Sequence, residues 1–186
     1  MADWSRLHAD HEAACRGFCD AARGLPSSRW TAPVAPGKWS PAEITAHLVE
    51  SYRVLRLELA GAPGMRVVVP PVKRWLLRVT VLPGLLRSGR FRPGVRAPKE
   101  TRPRESAPTA EIGLTALQSE VRGFVEELDR EARSRRVTLT HAYFGRLGAR
   151  QALRLCTIHV AHHTRQLAGA PGQRAESAAA GRSTRS

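Results

Sequence analysis

The stretch WSPAEITAHL, residues 39–48, carries the clearest helix start in this sequence of 186 residues. Ser40 suits the N-cap, because its hydroxyl can accept a hydrogen bond from a backbone N–H that has no partner within the helix. Pro41 suits the first helical position, where no N–H is needed. Glu43 lies three residues after Ser40 and can complete a capping box. The stretch therefore predicts a helix that begins here and ends near Leu59.

Three further segments show the apolar period of an amphipathic helix, with apolar side chains three or four residues apart. They span residues 3–24, about 109–133 and about 149–168. The sequence therefore predicts an all-α protein whose four long helices form a bundle. A strand is suggested only at Val67–Val69, and two prolines end that run at once. We expect residues 1–168 to form the helical domain and residues 169–186 to form a disordered tail.

Basic side chains dominate the charge, which is formally +14, and only three of the 30 basic residues are lysines. Such a bias has two interpretations, GC-rich codon usage in a bacterial source or a surface that attracts anions. Eleven of the basic residues lie between residues 66 and 104, with Glu100 as the single acidic residue there. We predict a long, irregular basic insertion between the second and third long helices. It contains one short amphipathic helix, from Val72 to Leu82.

The short amphipathic helix separates two kinds of side chain. One face carries Val72, Trp75, Leu76, Val79 and Leu82, and the other carries Lys73, Arg74 and Arg78. The surrounding apolar stretch, residues 65–86, is interrupted by charges and prolines, so we do not expect it to span a bilayer. The first residues lack the features of a signal peptide, and the three cysteines show no disulfide spacing. The sequence therefore predicts a cytoplasmic protein with reduced cysteines.

Two histidines, His159 and His163, are four residues apart on the last predicted helix. Their rings differ by about 40° in direction and about 6 Å in height. This spacing lets one helix offer two imidazoles to one metal ion. His47 lies on the second helix, at the edge of its apolar stripe. Each of these histidines also fits an ordinary structural role, so spacing alone leaves both interpretations open.

Two blocks of the sequence resemble the DinB/YfiT-like family. The first is PGKWSPAEITAHL at residues 36–48, and the second combines HAYFGRL at 141–147 with HVAHHTRQL at 159–167. The resemblance extends over about residues 4–168 and implies a four-helix bundle. It also implies a site for one divalent metal ion, zinc or nickel, with the ligands His47, His159 and His163.

The same resemblance implies a metal-dependent enzyme that acts on a small molecule. Relatives include transferases that use a low-molecular-weight thiol such as mycothiol, bacillithiol or glutathione, and others are described as hydrolases. Relatives also often form homodimers. Three protein ligands leave coordination positions open, as in catalytic metal sites. No side chain in the sequence identifies itself as the general base, so thiol transfer and hydrolysis both remain open.

Four more residues are candidates near the predicted ligands. Glu43 is a candidate base or partner of His47, although the capping box explains it without function. Cys156 shares the helix face of the histidine pair and suits either an extra ligand or a core position. His162 suits either a contact with a ligand side chain or a partly exposed position. Gln166, three residues beyond His163, is placed either to steady that ring or to face a partner.

Two other functions compete with the enzyme. In one, a non-catalytic bundle binds an anionic lipid surface or nucleic acid through the Arg-rich residues 66–104. No motif of nucleic-acid recognition accompanies these arginines in the sequence. In the other, the histidine site is vestigial and the bundle serves to dimerise.

Overall fold

The computed structural model describes residues 3–91, 97–103, 105–134 and 136–169, and this part of the chain is mostly helical. The predicted tail lies outside the described residues, except for Gly169. In chain order the helices are α1 (Trp4–Arg23), α2 (Pro41–Leu59), α3 (Pro71–Leu76), α4 (Leu82–Ser88), α5 (Ala110–Ser134) and α6 (Ala149–Ala168). The strands β1 (Thr138–His141) and β2 (Gly145–Gly148) lie between α5 and α6.

The start of α2 confirms the predicted capping box. The Glu43 backbone N–H donates to Ser40 Oγ at 3.2 Å, and the Ser40 N–H donates to Glu43 Oε2 at 2.8 Å. Pro41 occupies the first helical position. This cap fixes where α2 begins and therefore which of its residues face the interior.

The four long helices pack in neighbouring pairs. Helix α1 lies along α6 and α2 lies along α5, with further contacts from α1 to α5 and from α2 to α6. Each helix contributes a side chain with no exposed surface: Phe18 from α1, Leu48 from α2, Phe124 from α5 and Leu153 from α6. Burial of these apolar side chains is the main favourable term for the fold. None of the described helices has the length and apolar character needed to cross a membrane.

A β-hairpin precedes α6, and the expectation that this region holds no strand was wrong. Its strands are antiparallel, with Leu139 opposite Leu147, and both side chains are buried. Gly145 has φ of 68°, a conformation that favours glycine. Four-residue strands are too short to show a clear alternation in the sequence. The weak strand signal at Val67–Val69 does not correspond to a strand, although the Val68 N–H donates to the carbonyl of Ala142 at the hairpin turn.

One carboxylate of α2 holds the hairpin against the helices. Glu58 accepts hydrogen bonds from the Thr140 backbone N–H, at 3.0 and 2.9 Å, and from its hydroxyl, at 2.6 Å. We expect Glu58→Ala to lower the free energy of unfolding by about 1–3 kcal/mol, because it leaves a partly buried N–H without its acceptor. Urea unfolding measures this difference. The exposed Glu126→Ala on α5 is the control, and an equal effect of both substitutions would contradict the proposed role of Glu58.

The basic insertion is more helical than predicted. A π-helical segment, Leu77–Val81, continues from α3 and leads directly into α4. The expected end of the helix at Leu82 is therefore wrong, since Pro83 and Gly84 lie inside α4. A proline ring normally collides with the carbonyl group four residues earlier. The wider π turn immediately before Pro83 gives that ring room, so the chain stays helical to Ser88.

Candidate metal site

Three imidazoles from two helices converge on one point. His47 comes from α2, and His159 and His163 come from α6. The Nε2 atom of His159 lies 3.1 Å from that of His47 and 3.0 Å from that of His163. Within the described chain these three side chains form a group whose ligand atoms all lie within 4.8 Å of one another. The contact between α2 and α6 thus brings together residues more than a hundred positions apart.

The spacing of these nitrogen atoms suits a small metal ion. Imidazole nitrogens bind zinc at about 2.0–2.1 Å, which places two tetrahedral ligands about 3.3 Å apart. The measured separations of 3.0 and 3.1 Å are slightly shorter than this value. Small rotations of the rings would therefore accommodate the ion, and the three-histidine cluster can hold a metal.

Hydrogen bonds at the far side of two rings determine their protonation. His47 Nδ1 lies 2.5 Å from the carbonyl oxygen of Thr101, and His163 Nδ1 lies 2.7 Å from Gln166 Oε1. Both oxygens can only accept, so each Nδ1 carries the ring proton and donates it. In the neutral rings, Nε2 of His47 and Nε2 of His163 then present bare lone pairs toward the centre.

The two Nε2···Nε2 contacts consequently have too few protons for both to be hydrogen bonds. A neutral His159 can place at most one proton on its Nε2 atom, and that proton can satisfy one neighbouring lone pair. At least one of the two short Nε2 contacts therefore brings lone pairs face to face. A cation between the three rings would accept these lone pairs and remove the repulsion. The three nitrogen atoms therefore suit a metal ion.

Burial keeps the three imidazoles neutral. Burial, together with the neighbouring His47, lowers the pKa of His163 to about 3. Burial likewise lowers the pKa of His47, and it lowers the pKa of His159 far below its usual value, with His163 and His47 adding to the effect. Neutral imidazole is the form that binds metal, so near neutral pH no proton has to leave before an ion enters.

Comparison with known proteins identifies the family of this chain. The family model of the DinB superfamily matches residues 12–167 of the sequence. The chain belongs to the DinB superfamily. No curated protein and no solved structure shows a significant match. The resemblance seen in the two sequence blocks is therefore confirmed at the level of the superfamily.

A large cavity opens beside the three histidines of this DinB-superfamily protein. Its volume is about 1190 Å³, and the three imidazoles form part of its wall. Aromatic side chains of Trp39 and Phe91 and the exposed side chain of Arg102 also line it. The Trp39 ring packs against His47 with centroids 5.0 Å apart, and the Phe91 ring lies 5.9 Å from that of His159. A small molecule can therefore reach the histidine cluster from this cavity.

The side chains around the ligands differ in what they contact. Gln166 bridges two histidines, because it accepts from His163 and its amide lies 3.1 Å from His162 Nε2. Glu43 lines the cavity, but its carboxylate caps α2 through Ser40, and the contact of His47 Nδ1 is with Thr101. Sequence reasoning missed Thr101, since a backbone carbonyl has no residue signature.

Cys156 also lines the cavity, one turn before His159. Its thiol is not part of the group of atoms that converge within 4.8 Å. Burial raises the pKa of this thiol to about 12, so it is protonated near neutral pH. His141 accepts hydrogen bonds at Nδ1 from the Tyr143 and Phe144 N–H groups, at 3.2 and 3.3 Å, which stabilise the hairpin turn.

Proposed function

We propose that this protein is a metal-dependent enzyme acting on a small molecule, with one zinc or nickel ion held by His47, His159 and His163. One observation carries the proposal. Three Nε2 atoms converge in the wall of a cavity of about 1190 Å³, and at most one of them carries a proton. We further propose that the four long helices form the four-helix bundle of the superfamily. Three ligands from α2 and α6 would leave part of the coordination shell open toward the cavity.

The reaction class follows from what such a site can supply. A bound divalent ion would lower the pKa of a water molecule or a thiol that occupies an open position. We therefore propose thiol-dependent group transfer or hydrolysis. None of the described side chains around the histidines is an unengaged carboxylate, since Glu43 caps α2. This feature favours a nucleophile that is activated at the metal over one activated by a protein base.

The remaining residues of the site bind and orient. Thr101 and Gln166 hold His47 and His163 so that their Nε2 atoms face the cavity. Trp39 and Phe91 offer apolar walls, and the Arg102 guanidinium suits an anionic substrate group such as a carboxylate. A small, partly apolar anion is therefore the substrate class that the cavity fits.

Activity assays on metal-loaded protein test this proposal. The protein is supplied with zinc or nickel, and its metal content is verified by elemental analysis. It is then assayed with electrophiles and low-molecular-weight thiols, and separately with esters and amides. Turnover that depends on the metal and on His159 would support the enzyme. Absence of turnover with both substrate groups, by a protein shown to be fully loaded, would contradict it.

Arg102 provides a test of the substrate class. We expect Arg102→Ala to raise KM for a carboxylate-bearing substrate by about tenfold or more, as loss of a charge-assisted hydrogen bond predicts. The metal content and kcat should change little, because Arg102 contacts none of the histidine side chains in the structure. Steady-state kinetics with matched charged and neutral substrates measures the effect. Arg6→Ala, on the exposed surface of α1, is the control, and equal KM values in both variants would exclude this role.

A further inference from the structure

The helix of the basic insertion is oriented by its arginines. Arg78 donates to the carbonyl oxygen of Phe144 at 3.3 Å and also to that of Arg146. The aliphatic part of Arg74 lies so close to Gly145 that a Cβ atom there would be 2.8 Å from Arg74 Cδ. Arg74 and Arg78 of the predicted basic face therefore point toward the hairpin, whereas Lys73 is exposed. The predicted apolar face is divided, because Leu82 is buried while the four apolar residues before it are exposed.

The outward side is consequently apolar. We call it the outer apolar face, and it comprises Val72, Trp75, Leu76 and Val79. Their exposed fractions are 80%, 64%, 50% and 49%. Val68, which precedes the helix, is 53% exposed. Large apolar side chains exposed together in one segment mark interaction sites, because water solvates them poorly.

The inward side of the same helical segment is apolar as well. Leu82 and Leu85 are buried against the core. The segment is thus attached to the domain through one apolar side and still presents a second to solvent. The buried side packs against the core of the domain. The outer apolar face has no such partner in the described chain.

The charge of the chain segment that carries the outer apolar face indicates what covers this face. From residue 59 to residue 99 the sequence has nine lysines or arginines and no aspartate or glutamate. The side chains of Arg66, Lys73, Arg87 and Arg90 are exposed. None of these four forms an ion pair with a residue that the structure describes. A second copy of the chain, joined through the same surface, would bring these cationic residues together, which is unfavourable.

We propose that the outer apolar face docks on the surface of a bilayer that contains anionic lipids. Trp75 and its apolar neighbours would enter the boundary between headgroups and acyl chains, where the amphipathic indole ring is favoured. The exposed cations would lie at the level of the anionic headgroups and add an electrostatic attraction. The helix would thus lie in the plane of the interface while the long helices remain outside it.

Vesicle sedimentation tests this docking with the full chain. The probes are vesicles of phosphatidylcholine with phosphatidylglycerol, and vesicles of phosphatidylcholine alone. We expect the protein to sediment with the anionic vesicles and to be released by salt. The double variant Trp75→Ser, Leu76→Ser keeps every charge and should reduce the partition coefficient by about tenfold or more. The matched control is Leu57→Ser, Ile112→Ser, which removes apolar side chains of similar exposure on α2 and α5.

Fluorescence gives a second readout that does not rely on the serine variant. The difference spectrum between wild type and Trp75→Phe reports Trp75 alone, and we expect a blue shift when anionic vesicles are added. Equal sedimentation of wild type and the Trp75→Ser, Leu76→Ser variant, or an unshifted Trp75 spectrum, would overturn the proposal. Light scattering that shows a homodimer in the wild type and a monomer in the Trp75→Ser, Leu76→Ser variant would overturn docking on a bilayer. That result would show that the outer apolar face contacts a second copy of the chain. Binding to duplex DNA without binding to vesicles would show that the exposed cations bind nucleic acid and not a bilayer, and would overturn the proposal.

Discussion

His159→Ala is expected to abolish stoichiometric binding of zinc or nickel. The Nε2 atom of His159 lies 3.1 Å from that of His47 and 3.0 Å from that of His163, so its removal leaves only two of the three converging ligands. Binding of an ion to the folded state alone stabilises that state, by about 2.7 kcal/mol at a free concentration of one hundred times Kd. Added zinc should therefore raise the melting temperature of the wild type and leave that of the variant unchanged. Elemental analysis and thermal unfolding with and without a chelator measure both effects.

His162→Ala is the matched control for this experiment. His162 lies next to His163 on α6, but it contacts Gln166 and does not share the close contacts among the Nε2 atoms. We expect this variant to retain near-stoichiometric metal. A His159→Ala protein that keeps the metal content of the wild type would contradict the site. Reconstituted wild type that holds no metal would remove the basis of the proposed enzyme, while the vesicle experiment would remain independent of that result.

The long helices could be predicted because their ends and their periodicity are written in local residue types. The predicted fourth helix, residues 149–168, matches α6 at both ends, since Gly148 and Gly169 flank the apolar pattern. The capping box of Ser40 and Glu43 likewise fixed the start of α2. The histidine cluster could be anticipated from the two resembling blocks, and the contact of α2 with α6 explains why these blocks act together.

The features that escaped prediction depend on tertiary contacts. The carbonyl group of Thr101, 54 positions from His47, has no signature in the sequence, because every residue carries such a group. The hairpin of β1 and β2 is fixed partly by Glu58, which lies far away on α2. Periodicity showed that Val72 and Trp75 share a face, but it did not reveal which face turns inward. The bonds of Arg78 to the hairpin determine that orientation.

Another buried histidine, His11 of α1, lies outside the three-histidine cluster and contacts α2. His11 is 1% exposed, and its Nε2 lies 3.3 Å from the Tyr52 hydroxyl and 3.8 Å from Cys15 Sγ. Its Nδ1 has no hydrogen-bond partner among the described residues. Burial, together with the nearby His8, lowers the pKa of His11 from 6.5 to about 4. Burial also raises the pKa of Cys15 to about 12 and that of Tyr52 well above its usual value, so both remain neutral in acid.

Acid is therefore expected to destabilise the fold partly through His11. The unfolded chain binds a proton on this residue with a pKa near 6.5, whereas the folded chain binds it only near pH 4. The folded state thus holds fewer protons between these values, and its stability falls as pH decreases from 6.5 toward 4. One such histidine contributes a slope of at most about 1.4 kcal/mol per pH unit. Burial lowers the pKa of His141 to about 4 as well, so it adds a slope of the same sign.

Substitution of His11 isolates its share of this slope. His11→Gln retains an acceptor for Tyr52 but cannot bind the proton. The slope of its unfolding free energy against pH should therefore be smaller than that of the wild type by the contribution of about one proton. Tyr52→Phe removes the hydrogen bond and leaves His11 able to titrate, so its slope should equal that of the wild type. Urea unfolding of chelator-treated protein at several pH values between 4 and 7 measures all three. Parallel curves for wild type and His11→Gln would show that burial of His11 is not coupled to acid unfolding, whereas convergence of the two curves toward acid pH is the expected result.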